Sequence, residues 1–191
     1  MTKELTQIHD METCEPAYPK TMIYEDRQKA LASLPFITEK RNGAIKARKV
    51  AYGSKQRLYN GYNKSAWSSP TVATDSIFMT GVVDAKEGRA VAVLDIANTF
   101  LHAENDERIL MLLRGKLTKT MMKIDPSLYR KYVIFLPKGV HMLYIRLSEA
   151  LYGMLRAALL FYKRLRSNLE NMGFEFNPYD PCVANKMVNG K

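Results

Sequence analysis

The spacing of apolar and polar positions divides this chain into short segments, each with its own period. Residues 3–34 scatter apolar positions among charges and are broken at Pro16, Pro19 and Pro35, which predicts one or two short helices with Leu31 and Leu34 touching the core. From Phe36 the pattern becomes extended. Phe36-Ile37-Thr38 leads through Arg41-Asn42-Gly43 into a second run from Ala44 to Val50, and Asn-Gly between two such runs signals a hairpin. Asp75 to Lys86 has helical spacing that would bury Ile77, Phe78, Val82 and Val83 and stop at Gly88. Val91 to Asp95 reads as a buried strand, Arg108 to Leu113 as another apolar run, and Lys116 to Lys123 as a basic helix. Val133 to Leu136 and Met142 to Leu147, separated by Pro137-Lys138-Gly139, predict a second hairpin. The clearest helical period runs from Tyr152 to Met172, with Leu155, Leu159, Tyr162, Leu165 and Leu169 on one face and Gly173 as its stop. After turns at Asn177-Pro178 and Asp180-Pro181, a short strand from Cys182 to Val188 is expected, followed by an Asn189-Gly190 turn signal without its return strand.

Composition narrows the class. At 191 residues and 47% hydrophobic, the chain can bury a core as one domain or two small lobes, which excludes disorder throughout. Its 29 Lys and Arg against 19 Asp and Glu give a formal charge of +10, which favours a polyanion, nucleic acid first, through phosphate neutralisation and counterion release. No membrane partner is expected, because there is no lipid anchor, no run of about eighteen apolar residues and no signal-like amino terminus; a cytoplasmic or nuclear location follows as the expectation. Cys14 and Cys182 lack CxxC spacing, and His9, His102 and His141 are not spaced for zinc, so structural thiols and ordinary histidines are expected.

The segment from Val91 to Leu101 carries the sharpest chemical signal. An apolar strand that ends in Asp95 is one way to hold a divalent metal at a sheet's edge. An aspartate closing a strand also caps the following turn, and Phe100 by itself reads equally well as a core aromatic. Of the other acids, Asp75 suits a helix cap, Asp84 lies on a helix face, Asp125 and Asp180 precede prolines in turns, and Glu104, Asp106 and Glu107 fit a solvated turn.

Three ordered blocks then resemble the reverse transcriptase of Ty1/copia-type retrotransposons. The first, Arg41 to Arg57, is similar to that family's fingers-type hairpin with its Lys-x-Arg-x-Val-x-x-Gly-x-x-Gln pattern, here carried by Lys46, Arg48, Val50, Gly53 and Gln56. The second, Asp95 to Leu101 followed by His102-Ala103-Glu104, resembles the first catalytic motif, Asp-x-x-x-x-Phe-Leu. The third, Glu149-Ala150-Leu151-Tyr152-Gly153-Met154-Leu155-Arg156 running to Phe161-Tyr162, is similar to the Ala-Leu-Tyr-Gly-Leu motif and its helix, and Asp180-Pro181-Cys182 matches the approach to the catalytic hairpin. Leu155, Ala158 and Phe161 depart from residues common in the family. A larger departure is that the family's Asp-Asp pair is expected just beyond the strand on which this chain stops.

The resemblance implies an α+β fold of reverse-transcriptase fingers plus an incomplete palm, truncated before the catalytic Asp-Asp hairpin. It divides the chain into a helical lead-in over 1–35, a fingers-like region over 36–88 and a partial palm over 89–191. It implies Mg²⁺ as cofactor, with Asp95 as the catalytic carboxylate and metal ligand and the Ile96 carbonyl as a further ligand. Two-metal nucleotide addition needs more acids than that, so the chain alone is expected to be inactive. Lys46 and Arg48, two apart on one strand face, would reach the triphosphate of a deoxynucleotide, and Phe100 would exclude a 2′-hydroxyl. Tyr152 and Gly153 would approach the nucleotide and template. Lys55, Arg57, Lys163, Arg164 and Arg166, with Tyr59, Tyr62 and Trp67 nearby, would line an RNA or DNA template–primer groove by phosphate contact and stacking. The implied partners are template–primer, deoxynucleotide and the remainder of a polyprotein: the missing palm, thumb and RNase H. The alternative is a non-catalytic basic nucleic-acid-binding remnant of a degenerate retroelement.

Overall fold

Both hairpins expected from the sequence form in the computed structural model, which describes residues 2–39, 41–43, 45–59, 61 and 63–188. The strands are β1 (Cys14–Pro16), β2 (Leu31–Glu39), β3 (Ile45–Ala51), β4 (Glu104–Arg114), β5 (Ile134–Phe135), β6 (His141–Glu149), β7 (Glu175–Phe176) and β8 (Ala184–Asn185). The helices are α1 (Thr2–Asp10), α2 (Tyr24–Lys29), α3 (Gln56–Tyr59), α4 (Lys64–Trp67), α5 (Thr74–Glu87), α6 (Lys116–Ile124), α7 (Pro126–Tyr129) and α8 (Ala157–Asn171). The class is α+β. Among the described residues no helix is long and apolar enough to cross a membrane.

The main sheet is mixed, in the order β1-β6-β4-β2-β3, with the short β5 also pairing with β6. β2 and β3 pair antiparallel from Ser33 opposite Ala51 to Glu39 opposite Ile45, while β2 joins β4 in parallel at Leu31 opposite Met111. Helices α1 and α6 cover one face, where Leu5, Met111, Leu113, Met121, Leu143 and Ile145 are almost wholly enclosed. Tyr129 at the end of α7 is fully buried in the same cluster and its hydroxyl meets His9 Nδ1 at 3.0 Å, which ties α1 to the helices behind it. Burial pushes that hydroxyl's pKa well up.

Several expectations are corrected. Leu31 is buried, but it opens β2 rather than closing a helix, and Leu34 stands exposed on that strand. Helix α8 begins at Ala157, five residues later than the period suggests, because Gly153 takes a left-handed φ of 89° and breaks the preceding turn. Helix α5 forms and stops at a left-handed Gly88, yet Ile77, Phe78, Val82 and Val83 are all exposed. The segment Val91–Asp95 joins no strand among the described residues, with Val93 and Leu94 turned to solvent. An apolar run becomes a strand only when a neighbour accepts its backbone ladder, and among the described residues no strand pairs with 91–95, although β2 covers that edge of β4 only at Met111 and Leu112. The last strand is only Ala184–Asn185, and the turn signal at Asn189-Gly190 lies outside the described residues.

Candidate functional site

Sequence blocks about fifty residues apart meet where β3 ends. The Ala51 N–H donates to the Tyr152 carbonyl at 2.7 Å, so the turn before α8 lies directly on the end of the hairpin. Two glycines make that contact possible. A Cβ on Gly153 would fall 2.1 Å from the Ala51 oxygen, and one on Gly53 would fall 2.2 Å from the Gly153 oxygen. Gln56, buried at the start of α3, accepts the Leu155 N–H at 3.0 Å and closes the junction from the other side. The second block arrives through Phe100, whose ring stands edge-on to Tyr152 at 4.5 Å and near Phe161 at 6.5 Å.

Asp95 lies just before that aromatic cluster. The chain turns through Asn98, which has a left-handed φ of 55°, into a short helical turn over Thr99–His102. The Thr99 hydroxyl donates to the Ile96 carbonyl at 2.7 Å, and a His102 ring nitrogen sits 3.1 Å from the Ala97 carbonyl. Asp95 is exposed and makes no hydrogen bond or ion pair among the described residues. It opens onto a cavity of about 320 Å³ that it shares with Asn98, Thr99, Tyr152 and, from α1, Glu4 and Gln7.

These donors do not build a site for two Mg²⁺ ions. Asp95 and Glu4 are the carboxylates on the cavity, and no group of three or more Asp, Glu, His or Cys side chains suited to a metal occurs among the described residues. A magnesium ion asks for near-octahedral oxygen ligation, and a polymerase needs two.

The remaining expected residues divide between surface and scaffold. Lys46 and Arg48 lie opposite Thr38 and Phe36 in the hairpin register, but their side chains are outside the described residues, as are the Tyr59 side chain and all of Tyr62. Lys55 and Arg57 are exposed beside the Gly53 turn, and Lys163 and Arg164 are exposed on α8. Arg166 is partly engaged within the fold: it bonds Glu170 at 2.9 Å, reaches the Tyr162 hydroxyl and covers the Phe176 ring at 4.6 Å. Phe100 is half-buried and packs against the main core as well as Tyr152.

Tertiary contacts give other roles to acids that spacing assigned to caps and turns. Asp106 and Glu107 lie on β4, at the irregularity where its register with β6 shifts, and not in a solvated turn. Both carboxylates meet the Arg156 guanidinium at 2.5 Å, and the Trp67 ring lies under it at 5.9 Å. Asp75 is not the cap of α5. That role falls to the buried Asp180, whose Oδ2 accepts the Ala73 N–H at 2.9 Å while Oδ1 accepts the Cys182 N–H at 2.9 Å. A hydrogen bond from Ser76, followed by these amides, holds its pKa below the usual carboxylate value.

Glu149, directly opposite Glu104 at the end of β6, is the strained carboxylate of this region. Burial, and then the charge of Glu104, push its pKa up, against the opposing pull of Arg164 and His102, and its Oε2 is enclosed without a partner. A carboxyl whose folded pKa is raised contributes most below its unfolded value of about 4.3, and that contribution is lost as pH rises through the folded value. Glu149→Gln is therefore expected to raise the melting temperature at neutral pH, with the gain vanishing below about pH 4, as thermal denaturation across pH will measure.

No protein-family model, curated protein or solved structure matches this chain.

Proposed function

We propose that this chain is the fingers and an incomplete palm of a Ty1/copia-type reverse transcriptase. In this reading it grips template–primer and a deoxynucleoside triphosphate inside a polyprotein that supplies the rest of the palm, the thumb and RNase H. The observation that carries the proposal is the meeting of the three resembling blocks at Tyr152, whose ring touches Phe100 and whose carbonyl takes the Ala51 amide. Nothing in the spacing of those blocks requires them to touch, and one nucleotide site assembled from all three would require it. The cavity beside Asp95 and Tyr152 is where the sugar and base would rest, with Phe100 below them. Lys46 and Arg48 would serve the triphosphate, and Lys55, Arg57, Lys163 and Arg164 the phosphate backbone.

The metal-poor donor set supports a narrower role for the chain by itself: binding without nucleotide addition. It also favours the second reading, a basic nucleic-acid-binding remnant, over an autonomous enzyme. Purified chain is expected to bind primer–template in a strongly salt-dependent manner, each lost phosphate contact lowering the slope of log affinity against log salt by about one. It is expected to give no Mg²⁺-dependent primer extension. Extension that disappears in Asp95→Asn would overturn the inactive reading, and absence of binding at low salt would overturn both.

A further inference from the structure

The basic helix expected at Lys116 to Lys123 forms as α6, and its charge has no part in the site around Tyr152. Between Arg114 and Lys138 the chain carries seven Lys and Arg against one acid, Asp125, so 25 of its 191 residues supply six of its ten net positive charges. All seven cations are exposed. Asp125 is engaged at the start of α7, where its Oδ1 accepts the Leu128 amide at 2.9 Å and the Ser127 hydroxyl at 2.6 Å.

Helix geometry gathers this charge on one side. α6 turns Leu117, Thr118 and Met121 into the core, which leaves Lys116, Lys119 and Lys123, at spacings of three and four residues, as a stripe on the opposite side. Tyr129 anchors α7 in the same layer, and Arg130 and Lys131 continue the exposed surface. A helix face that is merely solvated mixes its signs. Two other helices of this chain do so, pairing Lys29 with Glu25 and Arg166 with Glu170 four residues apart. On α6 the corresponding neighbours are all lysines, which repel one another, and Lys116 in the first turn also opposes the helix dipole. Among the described residues none of the seven cations forms an ion pair, and Asp10 and Glu12, at the end of the α1 helix packed on α6, form none with them.

We infer that the outer surface of α6 and α7 is a docking face for duplex nucleic acid, which holds the phosphate backbone through Lys116, Lys119 and Lys123 with Arg130 and Lys131 alongside. From Lys116 to Lys123 the helix advances about 10 Å, a length over which a duplex presents about six phosphate charges. Contacts of lysine to phosphate carry no base information, so the binding is independent of sequence. An anionic membrane has the same charge, but a helix lying on it inserts bulky apolar side chains, and α6 keeps Leu117 and Met121 in the core. A single strand stacks its bases on rings set among the cations, and α6 contains no aromatic residue. None of these cations belongs to the proposed template–primer groove, and the inference stands whether or not the Tyr152 site is that of a polymerase.

Fluorescence anisotropy of a labelled blunt duplex of about twenty base pairs, titrated with the full chain in metal-free buffer at about 0.05 to 0.2 M salt, tests it. Lys116→Gln, Lys119→Gln and Lys123→Gln together are expected to lower the slope of log affinity against log salt by about three and to weaken binding at ~0.1 M salt at least about tenfold. Glutamine matches lysine in helix propensity, so the melting temperature is expected to hold, and arginine at the same three positions is expected to restore binding. Lys20→Gln, Lys64→Gln and Lys86→Gln together remove the same charge from scattered exposed positions and are expected to change the slope by less than about one. Equal losses in the two triple variants would show that net charge holds the duplex, which overturns this inference and leaves the Tyr152 reading standing. Absence of duplex binding at low salt, or tighter binding to phosphatidylserine vesicles than to the duplex, overturns it as well.

Discussion

Replacing Gly153 with alanine is expected to cost about 3 kcal/mol or more, enough to unfold much of the protein. Two separate penalties add. The residue sits at a φ of 89°, where an L side chain is strained, and its Cβ would lie 2.1 Å from the Ala51 oxygen and 2.3 Å from Val50 Cγ1. The oxygen is backbone and cannot turn aside, so the hairpin must separate from the turn before α8. Losing the hydrogen bond from the Ala51 amide to the Tyr152 carbonyl then frees the ring that packs on Phe100. Gly53→Ala meets the same wall from the opposite side, 2.2 Å from the Gly153 oxygen, without the φ penalty, and is expected to cost less. Because both substitutions break one contact, their effects are expected to be less than additive in denaturant unfolding. Gly81 is the control: it lies in α5 with open space around it, and alanine there is expected to gain up to about 1 kcal/mol.

Arg156→Leu is expected to destabilise the chain by about 2 kcal/mol, through two carboxylates deprived of one shared partner. The guanidinium is 16% exposed, whereas Asp106 and Glu107 are 46% and 37% exposed, so solvent screens part of the loss and keeps it below the cost of a fully buried pair. The guanidinium also lies over the Trp67 ring at 5.9 Å, a cation–π contact that leucine does not make. Arg156→Lys keeps the charge but not the fork that serves both acids, and is expected to recover less than half of the loss. Urea unfolding of the two variants, alone and with Asp106→Asn, separates the charge from the geometry: a coupling energy near zero between Arg156 and Asp106 would show that the pair contributes nothing.

Much of the chain's local structure was legible without its tertiary partners. Asn42-Gly43 marked the β2–β3 turn, Gly88 and Gly173 marked helix ends through their left-handed backbone, and the leucine period marked most of α8. These features arise from forces acting within a few residues. Periodicity also found α5, yet it assigned the helix a buried face that no other element covers, because an apolar stripe records only what a helix can bury. The Val91–Asp95 run failed as a strand for the related reason that a ladder needs a neighbour. Asp180 capping a helix 107 residues away, and Arg156 gathering two acids from β4, had no local signal at all.

The sequence by itself determined the α+β class, several helix ends and the hairpin turn, the basic charge and the three ordered blocks that resemble one family, because period, turn chemistry and composition are local properties. Only the tertiary structure decided that those blocks meet at Tyr152, that Asp95 stands beside a cavity with few metal donors, and that α5 and its following segment are left uncovered. Those outcomes depend on which distant surfaces fit together, and no spacing along a chain encodes the fit between Gly53 and Gly153 until the two backbones are in contact.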